Sequence, residues 1–223
     1  MGIQAVAFDV DGTLYPNDIM YRKSIGFALR HARLMMSYSR VRKTIRTIRP
    51  ITDFRKLQAE LLGRELSISP ELAEGVLESA IYNEWEVLLK QVPVFPHLVE
   101  MLADLKSRNI PLGVVSDFPV GKKLAYLGLD TGWNCAFSAE EVGYLKPNVE
   151  PFIRLAECLG APAGSIVYVG NSYRYDVVGA KGAGMYAAHL SRKAEAGTEP
   201  GTQADLTFFD YRTLHQWILD RLD

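Results

Sequence analysis

The 223-residue chain is short of the features that would send it outside the globular, water-exposed class. No apolar run approaches the roughly 18 residues that a membrane-spanning helix needs. The first residues carry no basic region ahead of an apolar one, so no leader is read there. Charge of one sign is also missing: the formal balance of −1 gives no global reason to bind nucleic acid or an anionic membrane. Cysteine is scarce. Cys135 and Cys158 stand apart without metal-ligand spacing, which leaves a disulfide open but favours two reduced thiols in a cytoplasmic protein. Internal repeats and low-complexity tracts are absent too.

What is present is enough apolar residue, 48% of the chain, to bury a sizeable core, most simply one domain with or without a smaller insert. Short apolar runs at 3–8, 111–115, 165–169 and 185–190, with a fifth candidate at 205–209, are each followed by polar turns. Between them lie stretches of helical period; at 98–105 the apolar residues fall at i, i+3, i+4 and i+7. Further helical patterns occupy 152–159 and 214–222. Strands alternating with helices predict an α/β fold whose parallel sheet is covered on both faces, a Rossmann-like three-layer core. In such sheets ligands lie beyond the carboxyl ends of the strands.

Residues 17–92 break the alternation. They carry helical patterns (25–36, 54–62, 70–89) and no convincing strand, and Pro93 and Pro96 close them. This predicts an α-helical cap, 17–92, inserted into a core formed by 1–16 and 93–223. Nine basic residues and no acid lie between 19 and 52: Arg22, Lys23, Arg30, Arg33, Arg40, Arg42, Lys43, Arg46 and Arg49. Facing a cleft, they would attract a phosphorylated ligand; otherwise they form a solvated face partly neutralised by the acidic helices that follow. The run 194–203, rich in Gly, Glu and Thr, reads as a surface loop.

The sharpest feature is Phe8-Asp9-Val10-Asp11-Gly12-Thr13, directly after the first apolar run. Two carboxylates this close repel each other and lose solvation beside a buried strand. Such a pair persists where a cation offsets the repulsion or where it carries out chemistry. Other strand ends add Ser116-Asp117, then Lys146-Pro147, then Gly170-Asn171 with Asp176 five residues after Asn171. These are a hydroxyl donor, an ammonium and oxygen ligands of the kind hard cations take.

In this order and spacing the set resembles the haloacid dehalogenase-like hydrolase superfamily, in the phosphatase type with a helical cap after the first motif. The resemblance covers roughly 1–16 and 93–223. It implies Asp9 as nucleophile and Asp11 as acid/base, with Ser116 and Lys146 also catalytic. Ser116, Asp117, Lys146, Gly12 and Thr13 would hold the phosphoryl group. Asp9, Asp11 (through its carbonyl), Asn171 and Asp176 would bind Mg²⁺. The presence of Asp11 argues against a dehalogenase. Asn171 stands where the family usually has Asp, which leaves the metal site one negative charge fewer, and Asp117 stands where an Asn is common. The implied activity is magnesium-dependent hydrolysis of a small phosphorylated metabolite through an aspartyl phosphate. No nucleic-acid or membrane partner is expected, and the oligomeric state is open. A phosphomutase and a non-catalytic phospholigand-binding protein are the alternatives. Tyr15, Tyr21, Arg22 and His31 are candidate contacts on the cap side.

Overall fold

A computed structural model describes residues 2–192 and 203–222; the predicted surface loop at 194–203 lies outside them except for Gln203. Six strands form one parallel sheet: β1 (Ala5–Phe8), β2 (Leu112–Ser116), β3 (Cys135–Ser138), β4 (Ile166–Gly170), β5 (Tyr186–Leu190) and β6 (Leu206–Phe208). The spatial order is β3-β2-β1-β4-β5-β6. The chain therefore builds outward from β1 to one edge, returns to its other side with β4, and builds outward again. The crevice at such a reversal is where α/β sheets bind ligands.

Side-chain alternation along β1 explains the burial of both faces. Ala5 and Ala7 enter one apolar cluster with Phe152, Leu155 and Leu159 of the helix Glu150–Leu159. Val6 and Phe8 enter a second with Leu98, Met101, Leu102 and Leu105 of the helix Leu98–Ser107, and with Leu214 and Ile218 of the helix Tyr211–Leu219. The register aligns Phe8 with Val114 of β2 and with Val169 of β4. Asp9, Ser116 and Asn171 thus emerge from adjacent strand ends.

Between Asn17 and Gln91 every regular element is helical. The predicted helix at 25–36 is two helices, Ile25–Arg30 and Ala32–Ile45, broken at His31. The pattern at 70–89 resolves into an α-helix Pro70–Val76, a widened π-helical stretch Leu77–Trp85 and a tight 3₁₀ segment Glu86–Gln91. Phe27, Tyr38, Val41, Ile45, Phe54, Leu62, Ile81 and Tyr82 from this segment share the cluster that holds Ala5, Ala7 and Val115. Its interior is therefore continuous with one face of the sheet.

Two expectations change. The strand β3 is absent from the sequence reading because four residues at a sheet edge, Cys-Ala-Phe-Ser with Ala136 exposed, give an apolar run of only three. The cysteines are not free thiols: Cys135 on β3 and Cys158 on the helix Glu150–Leu159 form a disulfide, with their Cα atoms 6.0 Å apart. The crossover lays that helix against β3, bringing together residues 23 apart in sequence, a proximity no local spacing signals. No described helix is long and apolar enough to cross a membrane.

Closing a loop of this length restricts the unfolded chain by about 3 kcal/mol. The Cys135→Ser/Cys158→Ser variant should therefore unfold at a lower urea concentration than the oxidised chain by an amount equivalent to that figure. Thiol titration of the denatured, unreduced protein should find no reactive sulfur.

Candidate active site

The turn after β1 sets the geometry. The Asp9 N–H continues the ladder by donating to the Val169 carbonyl at 2.9 Å, and the Thr13 and Leu14 N–H groups fold back onto the Val10 carbonyl. Gly12 has φ +86°, a left-handed conformation that glycine adopts without strain. A Cβ there would come within 2.1 Å of Asn17 Nδ2 and 2.2 Å of Asn171 Nδ2, so two side-chain amides close over this residue.

Asp9 is 5% exposed. Its Oδ1 accepts from Lys146 Nζ at 2.7 Å, and its Oδ2 from Thr13 Oγ1 at 3.2 Å. Lys146 Nζ also donates to Asp176 Oδ1 at 2.6 Å and to Tyr168 Oη at 3.1 Å. The other oxygen of Asp176 accepts from the Ser172 N–H at 2.9 Å. Asp176 reaches this position because the π-helical turn Tyr173–Val177 folds over the end of β4. There a Cβ on Gly170 would sit 2.3 Å from the Asp176 Cβ, so this close approach requires glycine.

Burial pushes the Asp9 carboxyl up to about 7, against the opposing pull of Lys146, and Asp176 and Asp11 add to the rise. Burial disfavours the Lys146 ammonium, but Asp176 and Asp9 more than compensate and keep it charged.

Asp11 takes a different set of partners. Lys123 Nζ donates to both of its oxygens, at 2.7 and 2.6 Å. Tyr15 Oη donates at 2.6 Å and Ser116 Oγ at 3.1 Å. Burial raises this carboxyl, yet Lys123 and the hydrogen bonds from Lys123, Tyr15 and Ser116 hold it below the usual carboxylate range. The two aspartates thus do not share one cation; each has its own lysine. Lys123 is fully buried and absent from the residues predicted from sequence. A signal for it exists: on the helix Gly121–Tyr126 it takes the i+3 place of a core-facing pattern otherwise filled by Val120 and Leu124. Nearby Glu86 is 2% exposed, has no hydrogen-bond partner for Oε1, and is raised to about 7 by burial, with Lys123 opposing.

Asp117 is taken up by the Lys146 backbone and by Arg46. Its Oδ1 accepts from the Lys146 N–H at 3.0 Å, and its Oδ2 pairs with Arg46 at 2.5 Å. Arg46 also donates to the Lys146 carbonyl and lies 4.1 Å from the centre of the Tyr175 ring. Beside it, Arg42 binds Glu140, Gln58 and the Asp117 carbonyl. Arg49 pairs with Glu150. Three arginines of the basic stretch therefore grip acids or carbonyls beyond residue 116, while Arg22, Arg30 and Arg40 pair with Asp18, Glu84 and Glu65 within 17–92. Of the candidate contacts, Tyr15 reaches Asp11 and Tyr21 lines the adjoining cavity. Arg22 is spent on Asp18, and His31 stacks on Phe27.

Around the Asp9 turn, three carboxylates (Asp9, Asp11, Asp176) face two ammonium groups (Lys123, Lys146). Among the described residues no three carboxylate, imidazole or thiolate side chains converge as a ready cation cage. The donors at hand are Asp9, Asp176, the Asn171 side chain and main-chain carbonyls. This oxygen set with a residual negative charge fits Mg²⁺, which uses one or two carboxylates and keeps several waters.

Residues 3–184 match the haloacid dehalogenase-like hydrolase family model. The chain belongs to that family. It is 28% identical over 217 residues to a glyceraldehyde 3-phosphate phosphatase of Methanopyrus kandleri, covering 93% of this chain and 92% of the relative. Identity to the Methanothermobacter thermautotrophicus enzyme of that name is 30%, over 83% and 84% of the two chains. A phosphoglycolate phosphatase of Shigella dysenteriae is 26% identical over 85% and 81%. Among solved structures, a phosphatase of the family from Thermococcus onnurineus superposes with a TM-score of 0.63 at 23% identity, covering 99% of both chains. A β-phosphoglucomutase from Clostridium difficile does so at 0.69 and 18%, covering 98% and 96%. At these identities the superpositions speak to fold alone.

The buried Asp9 carboxylate gives a stability prediction. Its pKa is higher folded (about 7) than unfolded (3.8), so the folded state loses stability as pH rises between those values. In metal-free buffer Asp9→Asn should melt at a higher temperature than wild type at pH 8, and the gap should close toward pH 4.

Proposed function

We propose that the chain is a magnesium-dependent phosphomonoester hydrolase in which Asp9 carries the phosphoryl group. The observation that supports this most is the division of labour between two carboxylates two residues apart. Asp9 is buried against Lys146 and Thr13, while Asp11 is held separately by Lys123, Tyr15 and Ser116.

In the first step an Asp9 oxygen attacks phosphorus, the ester P–O bond breaks, and the departing oxygen takes a proton from Asp11. In the second, Asp11 takes a proton from water as the water oxygen attacks phosphorus. The bond between phosphorus and Asp9 breaks, freeing inorganic phosphate and leaving Asp11 protonated for the next cycle. The low pKa of Asp11 suits the second step. A phosphate dianion arriving beside it opposes Lys123 and raises its proton affinity for the first.

Lys146 neutralises the nucleophile before attack and the phosphoryl oxygens after it. The hydroxyls of Ser116 and Thr13, with main-chain N–H groups of the Gly12 turn, are the donors for those oxygens. Asp117, engaged by Arg46 and the Lys146 N–H, contributes by fixing the loop that carries Lys146. Asp9, the Asp11 carbonyl, Asn171 and Asp176 would hold Mg²⁺, which when bound would shield phosphate charge from the carboxylates. Residues 17–92 act in this reading as a cap on the core formed by 1–16 and 93–223, and the substrate is a small phosphorylated metabolite.

With p-nitrophenyl phosphate and Mg²⁺, wild type should release inorganic phosphate, and Asp9→Asn should release none; retained turnover in that variant would remove Asp9 as nucleophile. Recovery of the phosphate on a second hydroxyl of the substrate, rather than free in solution, would indicate a mutase instead. Lys123→Met should lower kcat by on the order of 10²-fold. Without its ammonium the Asp11 pKa rises, so the acidic limb of the kcat profile should move to higher pH.

A further inference from the structure

The cavity that opens from Asp11 and Asn171 has a volume of about 490 Å³. That equals roughly sixteen water volumes, far more than the ten non-hydrogen atoms of a three-carbon phosphate occupy. Beyond the catalytic end its wall is aromatic and aliphatic: Tyr38, Phe118, Trp85, Ile81, Met35 and Tyr21 all line it. Phe118 stands between Tyr38 and Trp85, with ring centres 6.3 Å from each. The cations Arg42 and Lys123 lie 4.5 and 4.3 Å from the Phe118 ring centre, which fixes this wall in place.

Several of the polar groups along the wall are already engaged, though the Tyr38 hydroxyl and Arg42 Nε have no hydrogen-bond partner among the described residues. The terminal nitrogens of Arg42 hold Glu140, Gln58 and the Asp117 carbonyl, and Arg46 holds Asp117 and the Lys146 carbonyl. Trp85 Nε1 donates to Ser24 Oγ, and Tyr15 Oη to Asp11. A short hydroxy acid or polyol would have to pair its carboxylate or hydroxyls with the Tyr38 hydroxyl, with Asn17, or with Ser39 and Lys43 on the exposed rim, and any group that found no such partner would be left unpaired. Unpaired polar groups on desolvation are costly. A flat apolar group instead gains from burial and from ring packing.

We infer that the leaving group is an aromatic alcohol: the site takes aryl or arylmethyl phosphomonoesters in preference to short-chain hydroxy-acid or polyol phosphates. This rests on the hydrolase reading of the same site, so the test separates the two. Calorimetric titration of the Asp9→Asn variant with Mg²⁺ measures binding without turnover, using 2-naphthyl phosphate, glycerol 3-phosphate, phosphoglycolate and inorganic phosphate. The naphthyl ester should bind at least about tenfold more tightly than either short ester. Trp85→Ala, added to that background, should erase most of this preference while leaving inorganic phosphate binding unchanged, and Trp85→Phe should retain it. Equal or tighter binding of the short esters to the Asp9→Asn chain, which needs no further substitution, overturns the inference. In wild type, phosphate release fastest from the short esters would overturn it while upholding the hydrolase. Aryl-selective binding with no phosphate release from any ester would uphold the pocket's selectivity and remove the hydrolase reading.

Discussion

The ammonium of Lys146 is the contact on which the rest of the site depends. It lies between Asp9 and Asp176, buried with both, and also donates to the hydroxyl of Tyr168 and the carbonyl of Val115. Two carboxylates brought this close in a dry strand-end crevice would not both stay ionised without a cation between them. The ammonium and its two carboxylates come from different parts of the chain: Asp9 follows the first strand, Lys146 sits in the loop before the helix Glu150–Leu159, and Asp176 lies in the π-helical turn after β4. The parallel register of β1 with β4, and the glycine at the end of β4, make that convergence possible.

A second charge system lies above it. Arg42, Arg46 and Arg49 descend from the helical segment onto Glu140, Asp117 and Glu150. Arg42 and Glu140 are both buried, and pairs of this kind persist where each charge is fully hydrogen-bonded. Gln58 and Tyr82 meet most of that need from the helical side, and the Asp117 carbonyl from the other, while Arg42 Nε has no partner among the described residues. This system also accounts for an acid at 117: a carboxylate there takes both a guanidinium and a main-chain N–H, which an amide would do with less charge.

Much of this was legible in the sequence because it was carried by local pattern. The strands β1, β2, β4, β5 and β6 announced themselves as apolar runs ending in polar turns, and Asp9, Asp11, Ser116 and Asp176 followed those ends, whereas Lys146, expected at a strand end, lies in the loop before the helix Glu150–Leu159. What was not legible depended on distant parts of the chain. β3 was missed because its three apolar residues, Cys135 to Phe137, stand between Asn134 and Ser138, and the disulfide it carries is created by the crossover. Lys123, one of two adjacent lysines with no motif around it, is turned inward only by the fold, which sets its ammonium 4.3 Å from the centre of the Phe118 ring. The basic stretch at 19–52 showed its charge but not its destinations, since charge runs do not record which acids lie opposite.

Arg46 ties the two systems together, because it donates to the carbonyl of the very residue whose ammonium serves Asp9. Lifting the helix Ala32–Ile45 away from the sheet would strip that carbonyl and the Asp117 carboxylate of a shared donor, and release Tyr175 from beneath the guanidinium. The helix Ala32–Ile45 and the loop that carries Lys146 are therefore mechanically one part: the first cannot be displaced without loosening the second.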